Sequence, residues 1–403
     1  MKWFRDFKKW FSLTLASLGL VCYSLPRAED WEPSVQTEAE LQGLVDDVRN
    51  ATGIPGLSAA IVYQDRIIAA SSGLLQVGQA ENLTVHHRMH LGSVSKGFTA
   101  LLIAILVRQG HLRYNMTLSE ALPEMTLDEG FRSVTIHDLL TNQAGLIGFH
   151  NPEFEDSSDL TYLDQTLPSS FYDPAIQRLE MARKLLGRPP LYPARSRALY
   201  SNPAWAILGL IAEQNAGMQY ESLLEKALFG PLSMESARTG GWPASAKTPD
   251  QPRGHYLKEG SYEPQPLDDS YGLRPWMNPA GGIHMSILDF ARYAREVLRG
   301  LNGRSDLLPA QDMQNLHSIQ IRAKISEMYQ GAESDQLVGY GYGWGILETS
   351  RGNISAGEGS AGTFYASIFV FPYLDIAIVS FTNCGNREAS AQLISKITGI
   401  PWG

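Results

Sequence analysis

Residues 90–103, HLGSVSKGFTALLI, change from a polar, serine-containing turn to an apolar stretch with helical spacing. In a helix, positions i and i+3 share one face, so the Oγ atom of Ser93 and the Nζ atom of Lys96 come within reach of each other. A lysine in a partly dry pocket loses its proton more easily and can accept the serine proton. The helix N-terminus adds an N–H group and a positive dipole end where an oxyanion would form. The stretch therefore predicts a nucleophile and its base, although a capping serine followed by a surface lysine fits the same spacing.

A second candidate element is the turn that contains Tyr200 and Asn202, just before an apolar helical pattern that starts at Trp205. A phenol near a lysine can relay protons between a nucleophile and a leaving group. An amide can bind the acyl side of a substrate and orient the lysine. An aromatic packing residue followed by a helix-capping asparagine is the simpler structural alternative.

Strand patterns occur at both ends of the chain, and the region between them is mainly helical. This order predicts an α+β fold, in which an antiparallel sheet built from both termini is flanked by helices and interrupted by a mostly helical insertion over roughly residues 111–290. The predicted elements of the two ends are a helix over residues 38–53, two strands about the Gln64–Asp65 turn, strands over residues 340–349, 364–371 and 375–383, and a helix over residues 387–398.

Composition and charge exclude some classes of function. The chain has 403 residues, 44% of them hydrophobic, which is enough for a substantial core. Its net charge is −9, and no long basic block occurs, so a nucleic-acid partner is not expected.

The N-terminal segment differs from the rest of the chain. Basic residues at positions 2, 5, 8 and 9 precede an uncharged apolar run of signal-peptide length. Residues 1–28 are therefore predicted to be a signal peptide or an N-terminal anchor, and residues 29–403 to form the exported domain outside the cytoplasm, either periplasmic, secreted or membrane-anchored. Membrane attachment is expected through this segment only. If the leader is removed, Cys22 goes with it, and Cys384 has no partner for an intramolecular disulfide.

Ordered blocks of a recognisable pattern occur between residues 36 and 400. The blocks are HLGSVSKGFTALLI, VTIHDLLTNQAGL (134–146), YSNPAWAILGLIAEQNAG (200–217), FGPLSM (229–234), NPAGGIHMSILDFARYA (278–294), YGYGWG (340–345) and the closing strands. Together they resemble the class C β-lactamase-like serine hydrolases of the serine β-lactamase and penicillin-binding-protein superfamily. The resemblance implies that Ser93 is the acylated nucleophile, Lys96 its proton acceptor and Tyr200 the partner acid/base. It implies no metal or organic cofactor, and a small-molecule or peptide carbonyl compound as the substrate.

The resemblance also implies binding roles. Asn202 would bind the carbonyl side of the substrate, and the family's third motif, Lys or His followed by x-Gly, aligns with Gly357-Glu358-Gly359. Ser360 would then supply an oxyanion-hole N–H beside that of Ser93. The chain departs from the family because Gly357 provides no cation or imidazole, and a shift by one would place Glu358 there. An anionic substrate then loses an attraction. We therefore expect an esterase, amidase or peptidase more than a true β-lactamase, with a catalytically degraded ligand-binding or scaffold member as the alternative.

Several other polar residues are candidates for the site. Asn142 is a second departure, because the family often has histidine at that position. The histidines of VHHRMH (85–90) are close together but have no neighbouring cysteine or carboxylate, which disfavours zinc. His255 and His284 are expected to be hydrogen-bonded core or cleft residues. Arg195 and Arg197 could replace the missing cation, or could be exposed residues before a turn.

Overall fold

The central element is an eight-stranded antiparallel sheet made by strands from both ends of the chain. A computed structural model describes residues 31–149, 173–240, 250–266, 273–329 and 331–402. The predicted α+β fold, with its sheet built from both termini, is confirmed. The strands are β1 (Gly56–Tyr63), β2 (Arg66–Gly73), β3 (Arg88–His90), β4 (Arg238–Thr239), β5 (His255–Lys258), β6 (Ser261–Pro264), β7 (Ile283–Ser286), β8 (Ile321–Lys324), β9 (Leu337–Tyr340), β10 (Gly345–Thr349), β11 (Gly352–Ser360), β12 (Tyr365–Phe371) and β13 (Ile376–Thr382). The strand order in the large sheet is β2-β1-β13-β12-β11-β10-β9-β8.

Helices cover both faces of this sheet. The helices of the described residues are α1 (Glu38–Thr52), α2 (Ser95–Arg108), α3 (Leu118–Ala121), α4 (Glu129–Arg132), α5 (Ile136–Leu140), α6 (Pro174–Leu186), α7 (Asn202–Ala216), α8 (Tyr220–Leu224), α9 (Asn278–Gly281), α10 (Ile287–Leu301), α11 (Ala310–Leu316), α12 (Ile325–Met328) and α13 (Glu388–Thr398). Between β2 and β8 the chain is mainly helical, with two small sheets, β3-β7-β4 and β5-β6.

The alternation of side chains along the central strands explains the two layers of helices. Phe369 and Ile378 pack into the core that α1 and α13 cover. Their neighbours Ile368 and Val379 point to the opposite face and pack into the larger core with α2, α7 and α10. Because β12 and β13 are apolar on both faces, they lie in the middle of the sheet, under helices on each side.

Two local predictions are corrected by the structure. Residues 340–349, predicted as one strand, comprise the last residue of β9, a turn over residues 341–344 and the whole of β10, and in the turn the Gly341 N–H donates to the Trp344 carbonyl at 2.8 Å. Gly343 adopts a left-handed φ of 80°, and a Cβ there would lie 3.0 Å from the Lys96 carbonyl oxygen. The alternation of aromatic residues and glycine has the period of a strand, which is why the sequence predicts one there. The turn depends on the positive φ of Gly343, which the sequence pattern does not show. Helix α2 begins at Ser95 rather than at Ser93, which lies in a preceding 3₁₀ turn, Gly92–Val94.

Two sequence predictions concern segments that the structure does not describe, wholly or in part. The signal peptide or anchor of residues 1–28 lies outside the described residues, and so do residues 150–172, 241–249 and 267–272 of the predicted helical insertion. Among the helices described, none combines the length and apolar character that crossing a membrane requires.

Candidate active site

The side chain of Lys96 is buried beside Ser93. Its Nζ atom lies 3.2 Å from Ser93 Oγ and donates hydrogen bonds to Asn202 Oδ1 at 2.8 Å and to the Ala280 carbonyl oxygen at 2.7 Å. Only 1% of Lys96 is exposed, and this burial lowers its pKa well below the ordinary lysine value. A neutral amine at this position can accept the Ser93 proton. Local spacing predicted the lysine–serine pair, and only the tertiary structure brings Asn202 and Ala280 to it.

Tyr200 lies on the other side of the lysine. Its ring centroid is 4.7 Å from Lys96 Nζ, and its side chain is hydrogen-bonded to that of Ser93. Burial raises the pKa of Tyr200 well above its ordinary value, and the neighbouring Tyr340 adds to this effect. The phenol is therefore protonated at neutral pH, whereas burial favours the neutral form of the lysine. The two side chains are poised as a proton donor and a proton acceptor around one serine hydroxyl.

Asn142 holds the turn that carries Tyr200 and Asn202. Its Oδ1 atom accepts hydrogen bonds from the Ser201 N–H at 3.2 Å and from Trp205 Nε1 at 3.3 Å. Its carbonyl oxygen accepts the Leu199 N–H at 2.9 Å. Asn142 is 3% exposed and has a φ of 58°, a conformation that asparagine tolerates better than most residues. The residue that looked like a departure at the sequence level thus serves to position the Tyr200 turn.

The end of β11 lies directly against the Ser93 turn. In β11, Ser360 is opposite Tyr365, and the Ala361 N–H bonds to the Phe364 carbonyl at 3.1 Å. Hydrogen-bonded and non-hydrogen-bonded pairs alternate along an antiparallel ladder, so the Ser360 N–H must point away from β12. Pairing with β10 stops at Ala356, so this edge of β11 has no strand neighbour in the described chain. The Ser360 N–H therefore faces the edge of β11 that no described strand pairs with.

Two glycines permit this close approach. A Cβ on Gly359 would lie 2.6 Å from the Ser93 nitrogen and 2.1 Å from the Leu91 carbonyl oxygen. Gly92 has a φ of 52°, and a Cβ there would lie 2.6 Å from the Ser360 carbonyl oxygen. The Ser93 N–H precedes the first helical hydrogen bond, which runs from the Val94 N–H to the Leu91 carbonyl oxygen. The N–H groups of Ser93 and Ser360 thus lie on the two sides of a contact that only glycine allows.

The structure resolves which way the third-motif residues point. Gly357 is opposite Ile368 and shares the sheet face of Gly359, and a Cβ on it would lie 2.9 Å from Ile368 Cγ2. Glu358 is opposite Ser367, on the other face of the sheet. The expectation that a one-residue shift could place Glu358 at the cation position is wrong, because strand side chains alternate between faces. Glu358 instead accepts hydrogen bonds from the Tyr365 hydroxyl and from Arg387 Nε, the latter at 3.1 Å.

The other polar candidates lie in structural contacts. Arg195 forms an ion pair with Asp138 at 2.7 Å, and the Arg197 guanidinium lies 4.2 Å from the centroid of the Tyr192 ring. Neither arginine has a contact with β11 that would place it as the missing cation. His255 Nδ1 is 2.9 Å from the Asn383 carbonyl oxygen, and His284 Nε2 is 3.0 Å from the Gly240 carbonyl oxygen, so both are hydrogen-bonded core residues, as expected. Within the described ranges, no group of three His, Cys, Asp or Glu side chains could hold a metal ion.

The sequence reasoning missed three contacts of the candidate residues. The Ala280 carbonyl oxygen accepts a hydrogen bond from Lys96 and the Tyr329 ring packs against Tyr200, whereas Arg387 pairs with Glu358 on the other face of β11. The PAGG block was a signal for Ala280, but no residue pattern marked Tyr329 or Arg387.

The fold and the site together define a serine hydrolase in which a lysine follows the serine by three residues. The Beta-lactamase family model matches residues 41–396, and the chain belongs to that family. Penicillin-binding protein 4 of Amycolatopsis lactamdurans is 25% identical over 372 residues, which are 90% of this chain and 91% of that protein. A β-lactamase of Escherichia coli K12 is 25% identical over 289 residues, covering 70% and 66% of the two chains. The octameric penicillin-binding protein homologue from Pyrococcus abyssi shares the fold with a TM-score of 0.69 and 23% identity, covering 90% of this chain and 79% of its own.

Proposed function

We propose that the protein is an exported serine hydrolase that forms an acyl-enzyme on Ser93 with an ester, amide or peptide substrate. The observation that carries this proposal is the buried Lys96 amine, 3.2 Å from the Ser93 hydroxyl. A buried lysine with a lowered pKa is a free base at pH values where an exposed lysine is still protonated.

The reaction follows from these contacts. Ser93 Oγ bonds to the carbonyl carbon of the substrate while its proton moves to Lys96 Nζ, and the N–H groups of Ser93 and Ser360 stabilise the oxyanion. When the bond to the leaving group breaks, Tyr200 donates a proton to that group and recovers one from Lys96. Water then attacks the acyl ester, with the same residues moving protons in the reverse sense, and releases the acid and Ser93.

The substrate class follows from the charge around β11. The family's cation is missing at Gly357, so a substrate carboxylate has no partner at that position. Esters, amides or peptides without a carboxylate next to the scissile carbonyl fit the site better than β-lactams. Export is supported by the basic residues and apolar run within residues 1–28. The N-terminal peptide of protein purified from its native host tests export, because a start after residue 20 supports cleavage of a leader.

The test of the hydrolase is covalent labelling of Ser93. A fluorophosphonate probe should add one adduct to the folded protein, located on Ser93 by peptide mass spectrometry and absent from Ser93→Ala. Ser95→Ala is the matched control, because the Ser95 hydroxyl accepts the Ile283 N–H at 3.1 Å rather than contacting Lys96. Labelling that persists in Ser93→Ala contradicts the proposal. Folded protein that takes up no probe favours the second candidate, a ligand-binding member, which the missing cation at Gly357 motivates.

A further inference from the structure

The strand that carries Ser360 does have an arginine beside it, but this arginine is already paired. Arg387 precedes α13, and its Nε atom donates to Glu358 Oε1 at 3.1 Å. Both side chains are largely buried, with 13% of Arg387 and 18% of Glu358 exposed. A charge pair with so little solvent around it is weakly screened, so the guanidinium is neutralised mainly by this one carboxylate.

The pair is built into the end of β11. Tyr365, directly opposite Ser360 on β12, donates its hydroxyl hydrogen to the same Glu358 oxygen that Arg387 contacts. Burial raises the pKa of Glu358, and the Arg387 charge opposes that rise. Along a strand, residues 358 and 360 are separated by roughly 7 Å. The ion pair therefore lies within one substrate length of the N–H group that would hold the oxyanion.

The charge of Glu358 also reaches the Tyr200 side of the site. The ring centroid of Tyr329 is 5.2 Å from that of Tyr200. The pKa of Tyr329 is raised well above its ordinary value by burial, and the nearby Tyr200, Tyr340 and Glu358 add to the shift. Glu358 and Ser360 share one face of β11, opposite to the face of Gly357 and Gly359. A substrate group that passes Ser360 toward that face would therefore meet a neutralised arginine with its carboxylate, not a free cation.

We propose that Glu358 is a specificity-determining residue, whose carboxylate occupies Arg387 and so makes the β11 side of the site select substrates without a carboxylate. This inference rests on the proposed function and deepens it, because it assigns the preference to a particular pair and not only to the missing cation at Gly357. It also predicts that substitutions of the two partners shift the preference for a substrate carboxylate in opposite directions. Loss of Glu358 exposes a cation, whereas loss of Arg387 exposes an anion.

The experiment compares kcat/KM within two matched ester pairs. The first pair is para-carboxyphenyl butyrate and para-carbamoylphenyl butyrate, which differ in charge on the leaving group. The second pair is mono-para-nitrophenyl adipate and its terminal carboxamide, which differ in charge on the acyl chain. The measured quantity is the ratio of carboxylate to carboxamide kcat/KM. It is unaffected by a loss of activity common to both esters of a pair.

We expect Glu358→Gln to raise this ratio by roughly tenfold or more in at least one pair, as removal of a nearby carboxylate in a partly buried site should. Arg387→Gln should lower the ratio, and the double variant should return it close to the wild-type value. Glu348→Gln is the matched control, because Glu348 pairs with Arg322 at an exposed position on the same sheet, and its ratio should stay within twofold. Melting temperatures identify the variants that are folded, and either single variant is sufficient for the test.

The inference is overturned if the folded single variants change both ratios by less than twofold, or if the double variant keeps the gain of Glu358→Gln. The proposed function fails separately, when wild-type protein forms no Ser93 adduct and turns over none of the four esters. Turnover with a Ser93 adduct but unchanged ratios contradicts the role of Glu358 alone.

Discussion

Replacing Lys96 with methionine tests the base of the proposed mechanism directly. Methionine retains most of the buried side-chain volume, so no large cavity forms, but the amine 3.2 Å from Ser93 Oγ is lost. General base catalysis contributes about 10²–10⁴-fold, which corresponds to about 2.7–5.4 kcal/mol of activation free energy. We therefore expect the rate of Ser93 labelling by a fluorophosphonate to fall by about that factor in Lys96→Met.

The same substitution changes stability in a way that can be separated from catalysis. Asn202 Oδ1 and the Ala280 carbonyl oxygen each lose the hydrogen bond donated by Lys96. An unsatisfied buried acceptor costs about 1–3 kcal/mol, so Lys96→Met should remain folded but should melt at a lower temperature where Lys96 is neutral in wild type. Denaturation curves and far-UV circular dichroism establish that the variant compared in the labelling assay is folded.

The pH dependence gives a second, signed result. The pKa of Lys96 is lowered in the folded protein, whereas an unfolded lysine titrates near 10.5. Between those two pKa values the unfolded state binds more protons, so the free energy of unfolding rises with pH. This contribution should be missing in Lys96→Met, which makes the difference between the two proteins the quantity to measure. In wild type, kcat/KM should rise with pH as Lys96 loses its proton and should level off well below pH 10.5.

Two outcomes would refute this reasoning about Lys96. One is a folded Lys96→Met protein that labels within tenfold of the wild-type rate. The other is a wild-type labelling rate that increases only near the ordinary lysine pKa of 10.5, since that would mean the amine is not desolvated as the structure shows.

Two further substitutions test other parts of the site. Tyr200→Phe removes the hydroxyl but keeps the ring. It should lower kcat for ethyl butyrate, whose alkoxide leaving group needs a proton, by about 10²-fold or more, and Tyr63→Phe, at the end of β1, serves as the control. Unchanged kcat in Tyr200→Phe would exclude it as the proton donor. Gly359→Ala puts a Cβ 2.6 Å from the Ser93 nitrogen, so Ser93 labelling should fall by about 10²-fold. Gly43→Ala in α1, where a Cβ contacts nothing within 4 Å, should label at the wild-type rate; equal labelling of both glycine variants would show that β11 does not approach Ser93 as described.

The sequence was sufficient to predict those elements whose physical cause lies within a short segment of the chain. The helix over residues 38–52 follows from its apolar spacing, and it has a capping box between Thr37 and Glu40. The hairpin at Gln64 and Asp65 follows from two β-rich runs separated by turn residues. Gln64 and Asp65 each adopt a positive φ in that turn. The serine–lysine pair follows from a spacing of three, even though Ser93 lies two residues before the start of α2, in the preceding 3₁₀ turn.

Sequence was insufficient wherever the cause lay between distant segments. The glycine-aromatic alternation of residues 340–345 has the period of a strand, and its turn depends on how Gly343 packs against Lys96. The orientation of Glu358 depends on the register of β11 against β12, because a shift of one residue reverses the face. Its pairing with Arg387 joins residues 29 positions apart, and nothing near either residue predicts the other.

The sequence by itself therefore determined the α+β order of elements, the blocks that mark the family and the candidates for the reactive side chains, since periodicity and spacing are properties of short segments. The tertiary structure decided whether those side chains have the chemistry they need. The lowered pKa of Lys96 arises from its burial beside α7 and α9. The Ser360 N–H faces a strand edge without a partner in the described chain, because the pairing of β11 with β10 ends at Ala356. The neutralisation of Arg387 likewise depends on Glu358, whose side chain lies on the face of Arg387 because of the register of β11 against β12.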